Sequence, residues 1–152
     1  MFDLKLDDEG NSYVTGYYMG TADFDHGSVH QGDADILTAK GGTDAFVAKY
    51  APDNSLLWVR SLGGDAVDPG YISEAGRSLA VDQNGDVFVT GEFWGRGTFG
   101  ATELVSAGFG DGFLTKLTED GTIEWAKSWG VSGNDAARGV DVDAQGNAYV
   151  IN

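Results

Sequence analysis

Both histidines of the chain fall within one short acidic segment, and this segment is the strongest candidate for chemistry in the sequence. Carboxylate oxygens are the ligands that calcium prefers, whereas a pair of imidazoles suits zinc or a similar ion. The spacing matches no established metal motif, and a solvated acidic loop is the simpler interpretation. Calcium is the only cofactor that the sequence suggests. The candidate ligands are Asp23, Asp25, His26, His30, Asp33 and Asp35.

Aromatic side chains form a second candidate site, because they follow Gly16 and Gly91 where strands are expected to end. Tyr18 and Phe93 hold the same place after these glycines, and Trp94 follows Phe93 directly. Aromatic rings at strand ends can stack on sugar rings, which would give a lectin-like site in each repeat. Packing between neighbouring sheets explains the same recurrence, so both interpretations stay open.

Composition and motifs argue against several classes of function. The 152 residues carry a formal net charge of −15, which opposes binding to the phosphates of nucleic acids. No apolar run approaches the roughly 18 residues that a membrane span needs. No cysteine is present for a disulfide or a thiolate metal site. Neither a Gly-x-Ser-x-Gly nor a phosphate-binding loop occurs, so we expect a protein that is not an enzyme.

Internal repetition dominates the sequence. The three segments Leu6–Gly16, Val81–Gly91 and Val142–Asn152 align without gaps, at two unequal spacings. Insertions near 28–36 and 67–73 lengthen the first unit and account for the difference. The basic unit is therefore about 61 residues long, and self-similarity at a fixed period is the signature of a repeat architecture.

Each unit predicts four short strands and little helix. In the second unit the strands are expected at 78–82, 86–93, 112–118 and 123–129, from alternating apolar residues and turn residues. Asn84–Gly85 and Asp120–Gly121 are dipeptides of tight hairpins, in which both turn positions have positive φ. A faintly calcium-like run from Asp141 to Asn147 is assigned to a turn, because the equivalent runs begin with Lys5 and Ala80.

Several residues recur once per unit, which favours a structural role over a catalytic one. Trp58 and Trp125 hold the same place in the two units and are expected to fill the space between sheets. Two further pairs recur at the heads of strands, where the carboxylates could accept backbone N–H groups or pair with the arginines. They are Asp44 with Asp111, and Arg77 with Arg138.

The combined pattern resembles a bacterial β-propeller repeat family, the SBBP repeats. The matching pieces are Val81–Gly91, then Gly97-Thr98-Phe99, then Gly110–Lys116, then Gly121–Trp125, with partial copies in the first repeat. The resemblance implies an all-β fold of four-stranded propeller blades, at about 3–63 and 78–130, with an extra strand pair at about 139–152. It also implies an extracellular or cell-surface protein without a shared catalytic site.

About two blades are too few to close a propeller, which usually needs at least ~4. The sequence therefore predicts one propeller segment, either a piece of a larger protein or a unit that self-associates. Unpaired blade edges would bind a protein partner or a second copy. The expected function is a non-enzymatic scaffold or recognition module, and the alternative is a carbohydrate-binding propeller with repeated sites for glycans.

Overall fold

The computed structural model describes residues 2–25, 35–64 and 74–152, and this part of the chain contains twelve β-strands and no α-helix. The all-β prediction is confirmed. Within these ranges no helix is long and apolar enough to cross a membrane. The strands are β1 (Asp3–Leu6), β2 (Ser12–Tyr18), β3 (Thr21–Asp23), β4 (Ile36–Thr38), β5 (Asp44–Tyr50), β6 (Leu56–Leu62), β7 (Glu74–Val81), β8 (Val87–Phe99), β9 (Thr102–Leu117), β10 (Ile123–Trp129), β11 (Gly139–Val142) and β12 (Ala148–Ile151).

Two four-stranded antiparallel sheets contain most of these strands. Sheet I has the order β1-β2-β5-β6, and sheet II has the order β7-β8-β9-β10. Two further pairs, β3 with β4 and β11 with β12, form separate hairpins. The β11–β12 hairpin has the register of β7–β8 and of β1–β2, so it is equivalent to the first two strands of sheets I and II.

The long hairpin at the tip of sheet II was not predicted from the sequence. Only β10 has the expected bounds, whereas β8 runs on past Phe93 to Phe99 and β9 begins at Thr102 instead of Gly112. The physical reason is aromatic packing, since the buried ring of Phe99 lies 4.8 Å from that of Phe113 and holds the extension against its own sheet. In sheet I the shorter β3–β4 hairpin occupies the equivalent place in the chain.

The prediction of two-residue turns with positive φ at both positions was wrong. At Asn84–Gly85 only the glycine has positive φ, of 79°, and at Asp120–Gly121 only Gly121 does, at 80°. The Asp82 amide donates to the Asp86 carbonyl and the Gly85 amide donates to the Asp82 carbonyl, at 3.0 Å each. This is a three-residue loop in which one glycine takes the left-handed position, so the preceding residue needs no positive φ.

The sheets pack face to face and each face has its own apolar cluster. The cluster between sheets I and II joins Tyr13, Val47 and Trp58 of sheet I to Leu79 and Val89 of sheet II. A second cluster lies between sheet II and the β11–β12 hairpin, and a third covers the other face of sheet I. Successive sheets therefore bury each other, which matches the need of a twisted sheet to cover both faces.

Candidate functional site

The recurring aspartate of the repeat braces the turn that follows it. Asp143 Oδ1 accepts the backbone amides of Gln145 at 2.9 Å and Asn147 at 2.8 Å. Asp143 Oδ2 accepts the Asn147 side-chain amide and the Tyr149 hydroxyl, both at 2.9 Å. These bonds, led by the Asn147 side chain, lower the pKa of Asp143 to about 2. Both oxygens are engaged, so the contacts are those of a turn rather than of a calcium loop.

Asp7 and Asp82 occupy the same position in the first two copies and accept the same two backbone amides. Asp7 accepts the amide of Asn11 at 2.8 Å and that of Glu9 at 3.0 Å, and Asp82 accepts the amides two and four residues further on. Burial works against the charged form of Asp7, but the hydrogen bonds it accepts, led by those from Asn11, together lower its pKa. The aspartate is thus part of the fold in every copy.

An acidic cleft opens where the β1–β2 turn of sheet I meets the β7–β8 turn of sheet II. Its volume is about 470 Å³. At its side, Lys49 Nζ lies 3.3 Å from Glu119 Oε1 and 5.1 Å from the centre of the Tyr13 ring. Carboxylates dominate the lining, so the cleft favours cations and basic groups. The acidic lining residues are Asp7, Asp8, Glu9, Asp82 and Glu119.

The acidic segment with the two histidines is only partly described. Asp23 ends β3 and its Oδ1 accepts the amide of Asp25 at 3.0 Å, while the carbonyl of Asp35 accepts the amide of Phe24 at 3.0 Å. His26, His30 and Asp33 lie outside the described residues. In residues 2–25, 35–64 and 74–152, no three His, Cys, Asp or Glu side chains come close enough to share a metal ion. The metal hypothesis stays a prediction.

Asp44 begins β5, whereas Asp111 lies inside β9, which starts at Thr102, so the expectation that Asp111 stands at the head of its strand was wrong. Both aspartates are buried, and each accepts a backbone amide four residues before it. Asp44 Oδ2 accepts the amide of Lys40 at 3.3 Å and the hydroxyl of Ser61 at 3.1 Å. Asp111 Oδ2 accepts the amide of Ala107 at 2.9 Å. The sequence left open whether these carboxylates accept backbone amides or pair with the recurring arginines, and the observed contacts are those with backbone amides.

The recurring arginines make other contacts. Arg77 Nε donates to Glu92 Oε1 at 2.9 Å, and its guanidinium lies 4.5 Å from the centre of the Phe2 ring. The partner of Arg77 is therefore Glu92 rather than Asp44 or Asp111. Arg138 donates its backbone amide to the Ile151 carbonyl at 2.8 Å, which fixes the base of the β11–β12 hairpin.

Trp58 and Trp125 lie at equivalent positions but in different surroundings. The Trp58 indole N–H donates to the Glu119 carbonyl of sheet II at 2.9 Å, and its ring packs against Gly121. Trp125 is only partly buried, packs 6.3 Å from the Phe88 ring and carries Lys127 over its face. Trp58 thus links sheet I to the β9–β10 turn, as a residue between sheets should.

Two of the three candidate sugar-stacking residues lie in the interior. Tyr18 and Phe93 are buried, at 6% and 0% exposure, and their rings pack against Phe24 and Phe99 respectively. Trp94 is partly exposed and lies against Gly110. The burial of Tyr18 and Phe93 favours the alternative interpretation, that these rings pack in the interior. Of the three candidate residues, only Trp94 has an accessible ring.

Glu74 is a notable residue that sequence reasoning missed. Its side chain is fully buried near Asp44, and burial together with the charge of Asp44 raises its pKa to about 9. Its oxygens accept no hydrogen bond of standard geometry within the described part of the chain. The sequence carried one signal for Glu74, because the equivalent position of the next copy also holds an acid, Asp135. Asp135 Oδ2 accepts the Val131 amide at 2.9 Å.

A comparison with protein-family models finds no match for this chain, and a search of curated proteins finds no relative.

Proposed function

We propose that the chain is a segment of a β-propeller, with two blades and the first hairpin of a third, that acts as a non-enzymatic scaffold and recognition module. Sheets I and II would be the blades, at about 3–63 and 74–130. The resemblance to SBBP repeats suggests a bacterial surface or secreted protein. Two four-stranded antiparallel sheets in chain order, packed face to face, support this architecture.

One repeated hydrogen bond carries the proposal. Asp3 Oδ2 accepts the amide of Leu79 in the next sheet at 3.0 Å. Ser78, which occupies the position of Asp3 in the second copy, accepts the amide of Val140 on the hairpin after it at 3.4 Å. In both cases a side chain at this repeat position accepts an amide of the following sheet or hairpin, from the residue just after the equivalent position. Equivalent contacts between successive units are expected for a stack of equivalent blades.

The recurring polar side chains support a scaffold rather than an enzyme. Asp7, Asp82 and Asp143 brace turns, Asp44 and Asp111 each accept a backbone amide four residues earlier, and Trp58 joins two sheets. A catalytic group must be able to reach a substrate. The side chains of Asp44 and Asp111 are buried in the interior, and the turn aspartates and the Trp58 indole contact the protein itself.

Recognition through an open strand edge follows from the register. In sheets I and II the second strand, β2 or β8, pairs with a third strand, β5 or β9. In the described part of the chain, β12 pairs only with β11. An extended segment of a partner protein would complete this edge by backbone hydrogen bonds. Val150 is the equivalent of Val14, which pairs with Ala48 in sheet I, so a residue of the partner would face Val150 as Ala48 faces Val14.

A peptide with the sequence of residues 44–50 tests strand addition at β12. We expect saturable binding to the whole chain by calorimetry, with changes in the amide resonances of residues 148–151. The matched control is the same peptide with Ala48→Pro, which cannot donate to the strand edge at the position opposite Val150 and should bind at least about tenfold more weakly. Equal binding of both peptides, or none, contradicts this mode of recognition.

The carbohydrate-binding alternative retains one accessible ring, Trp94, and no observation favours it. A glycan that binds the chain and loses binding with Trp94→Ala would restore it.

A further inference from the structure

The outer face of β1 in sheet I exposes two leucines whose counterparts are covered. Leu4 is 47% exposed and Leu6 is 66% exposed. The equivalent residues of sheet II are Leu79, which is fully buried, and Val81, which packs against the same cluster. Sheet I itself covers Leu79 and Val81. We call Leu4 and Leu6 the head patch.

The opposite end of the stack exposes a complementary pair on β12. Tyr149 is 60% exposed and Ile151 is 68% exposed. Their counterparts in sheet I, Tyr13 and Thr15, are fully buried. We call Tyr149 and Ile151 the tail patch.

The internal junction shows that these two kinds of surface fit each other. Tyr13 belongs to the apolar cluster that contains Leu79, with Val81 packed against it. Thr15 faces β7 so closely that a Cβ on Gly76 would lie 2.1 Å from its Oγ1. Where sheet I meets sheet II, the repeat equivalents of the tail patch therefore pack against the strand that carries the equivalents of the head patch.

We infer that the head patch of one molecule docks on the tail patch of a second copy of this chain, in a head-to-tail arrangement that repeats the packing of sheet I on sheet II. The partner is a second copy because Tyr149 and Ile151 of its tail patch are the repeat equivalents of Tyr13 and Thr15, which lie on the face of sheet I that covers Leu79. This inference rests on the proposed scaffold of stacked blades and adds the partner of its end faces.

The backbone amides at the two ends are compatible with this contact. Inside the chain, Asp3 and Ser78 supply the acceptor for the next sheet, whereas the equivalent tail residue is Gly139, which has no side chain. The amide that would need this acceptor belongs to Leu4, and Asp3 Oδ1 of its own molecule already accepts it at 2.9 Å. The Leu4 amide therefore keeps an acceptor when the two ends dock.

Sedimentation and light scattering over a range of concentrations test the contact. We expect the 16.0 kDa chain to associate as its concentration rises. Leu6→Glu in the head patch and Ile151→Glu in the tail patch should each weaken association at least about tenfold, because each places a charge against an apolar surface. Val105→Glu is the matched control, since Val105 is also exposed, lies on the sheet II extension and receives the same added charge.

Mixing the two variants gives the decisive result. The Leu6→Glu variant keeps an intact tail patch and Ile151→Glu keeps an intact head patch, so one intact contact forms between them. We expect each variant to be monomeric alone and a 1:1 dimer to appear in the mixture. Circular dichroism of each variant checks that the sheets are retained.

Three outcomes would overturn the inference. The wild-type chain stays monomeric at every concentration, or association is insensitive to both patch variants, or the two variants do not combine when mixed. Association that survives Leu6→Glu but is blocked by the 44–50 peptide would assign the contact to the β12 edge instead. Peptide binding by a strictly monomeric chain would overturn this inference while leaving the proposed recognition function intact.

Discussion

The carboxyl group of Glu74 is buried near that of Asp44, although the two residues belong to different sheets. Thr43, next to Asp44, ties the strands together by donating from its hydroxyl to the Glu74 carbonyl at 3.2 Å. Burial raises the pKa of both carboxyl groups, and the charge of Asp44 raises that of Glu74 further, to about 9. Glu74 is therefore neutral in the folded protein at pH 7, because ionising it would place two negative charges together in the interior.

Replacing Glu74 with Gln should remove a pH dependence of stability. The folded state keeps the proton up to about pH 9, whereas the unfolded state loses it near the ordinary pKa of 4.5. Folding therefore takes up a proton in this window, and the free energy of unfolding falls as the pH rises, by up to about 1.4 kcal/mol per pH unit. We expect Glu74→Gln to be more stable than wild type at pH 8 in urea titrations, and this advantage to shrink at pH 5.

The exposed Glu103 provides the control for this experiment. Glu103→Gln also removes one carboxylate, but an exposed one that pairs with Arg96, so its curve gives the effect of losing a surface charge without the burial that Glu74 experiences. If Glu74→Gln and wild type show parallel curves between pH 5 and pH 8, Glu74 is ionised in the folded state and the assignment fails.

Alanine at Gly121 should destabilise the protein more than alanine at Gly146. Both glycines close a turn with positive φ, of 80° and 79°, so each substitution carries a backbone strain of about 1–2 kcal/mol. At Gly121 the new Cβ would also lie 2.8 Å from the Trp58 ring, whereas at Gly146 the nearest atom is 4.0 Å away. The difference in unfolding free energy, about 1–3 kcal/mol, measures the contact between the sheets. Equal losses would show that Trp58 does not pack on this turn.

Alanine at Asp7 should cost stability, whereas alanine at its neighbour Asp8 should not. Asp7 accepts two backbone amides, the Asn11 side chain and the Tyr13 hydroxyl, and Asp8 is exposed. Loss of this brace should lower the free energy of unfolding by about 1–3 kcal/mol, measured by urea denaturation. Added calcium should not restore the loss. Comparable effects of the two substitutions would mean that the turn does not depend on the Asp7 carboxylate.

Salt should strengthen the association of the chain with itself. Each molecule carries a net charge of −15, so two copies repel each other over distances that ions can screen. The proposed patches are apolar and are not weakened by screening. We therefore expect tighter association in about 0.5 M than in about 0.05 M sodium chloride by sedimentation. Weaker association at high salt would indicate a contact made by charged groups.

The repeat pattern predicted much of the fold, because hairpin loops and strands depend on local sequence. The recurring Asp-x-x-Gly marked the β1–β2, β7–β8 and β11–β12 turns, and the bounds of β10 agreed with the expectation. The turn type was wrong at Asn84–Gly85, since that dipeptide also fits a loop in which the glycine alone takes positive φ. The long extension of β8 and β9 depends on Phe99 reaching Phe113, which is a tertiary contact.

The candidate sites were less predictable, because burial depends on which residues the fold brings together. Tyr18 and Phe93 have the residue types of a sugar-stacking site, yet they lie in the interior. Glu74 has the residue type of a surface group and becomes the most buried acid of the described chain. The acidic cleft joins turns from two different repeats, whose proximity follows only from the stacking of the two sheets.

The bonds from Leu79 to Asp3 and from Val140 to Ser78 have the same direction, because in both the earlier sheet supplies the side-chain acceptor and the later one the backbone amide. During synthesis on the ribosome, the N-terminal sheet emerges first and presents its acceptor before the next sheet exists. Each new sheet then folds against a template that is already in place. The β11–β12 hairpin has two strands and packs on sheet II alone, so it should be the first part of the described chain to open when the protein unfolds.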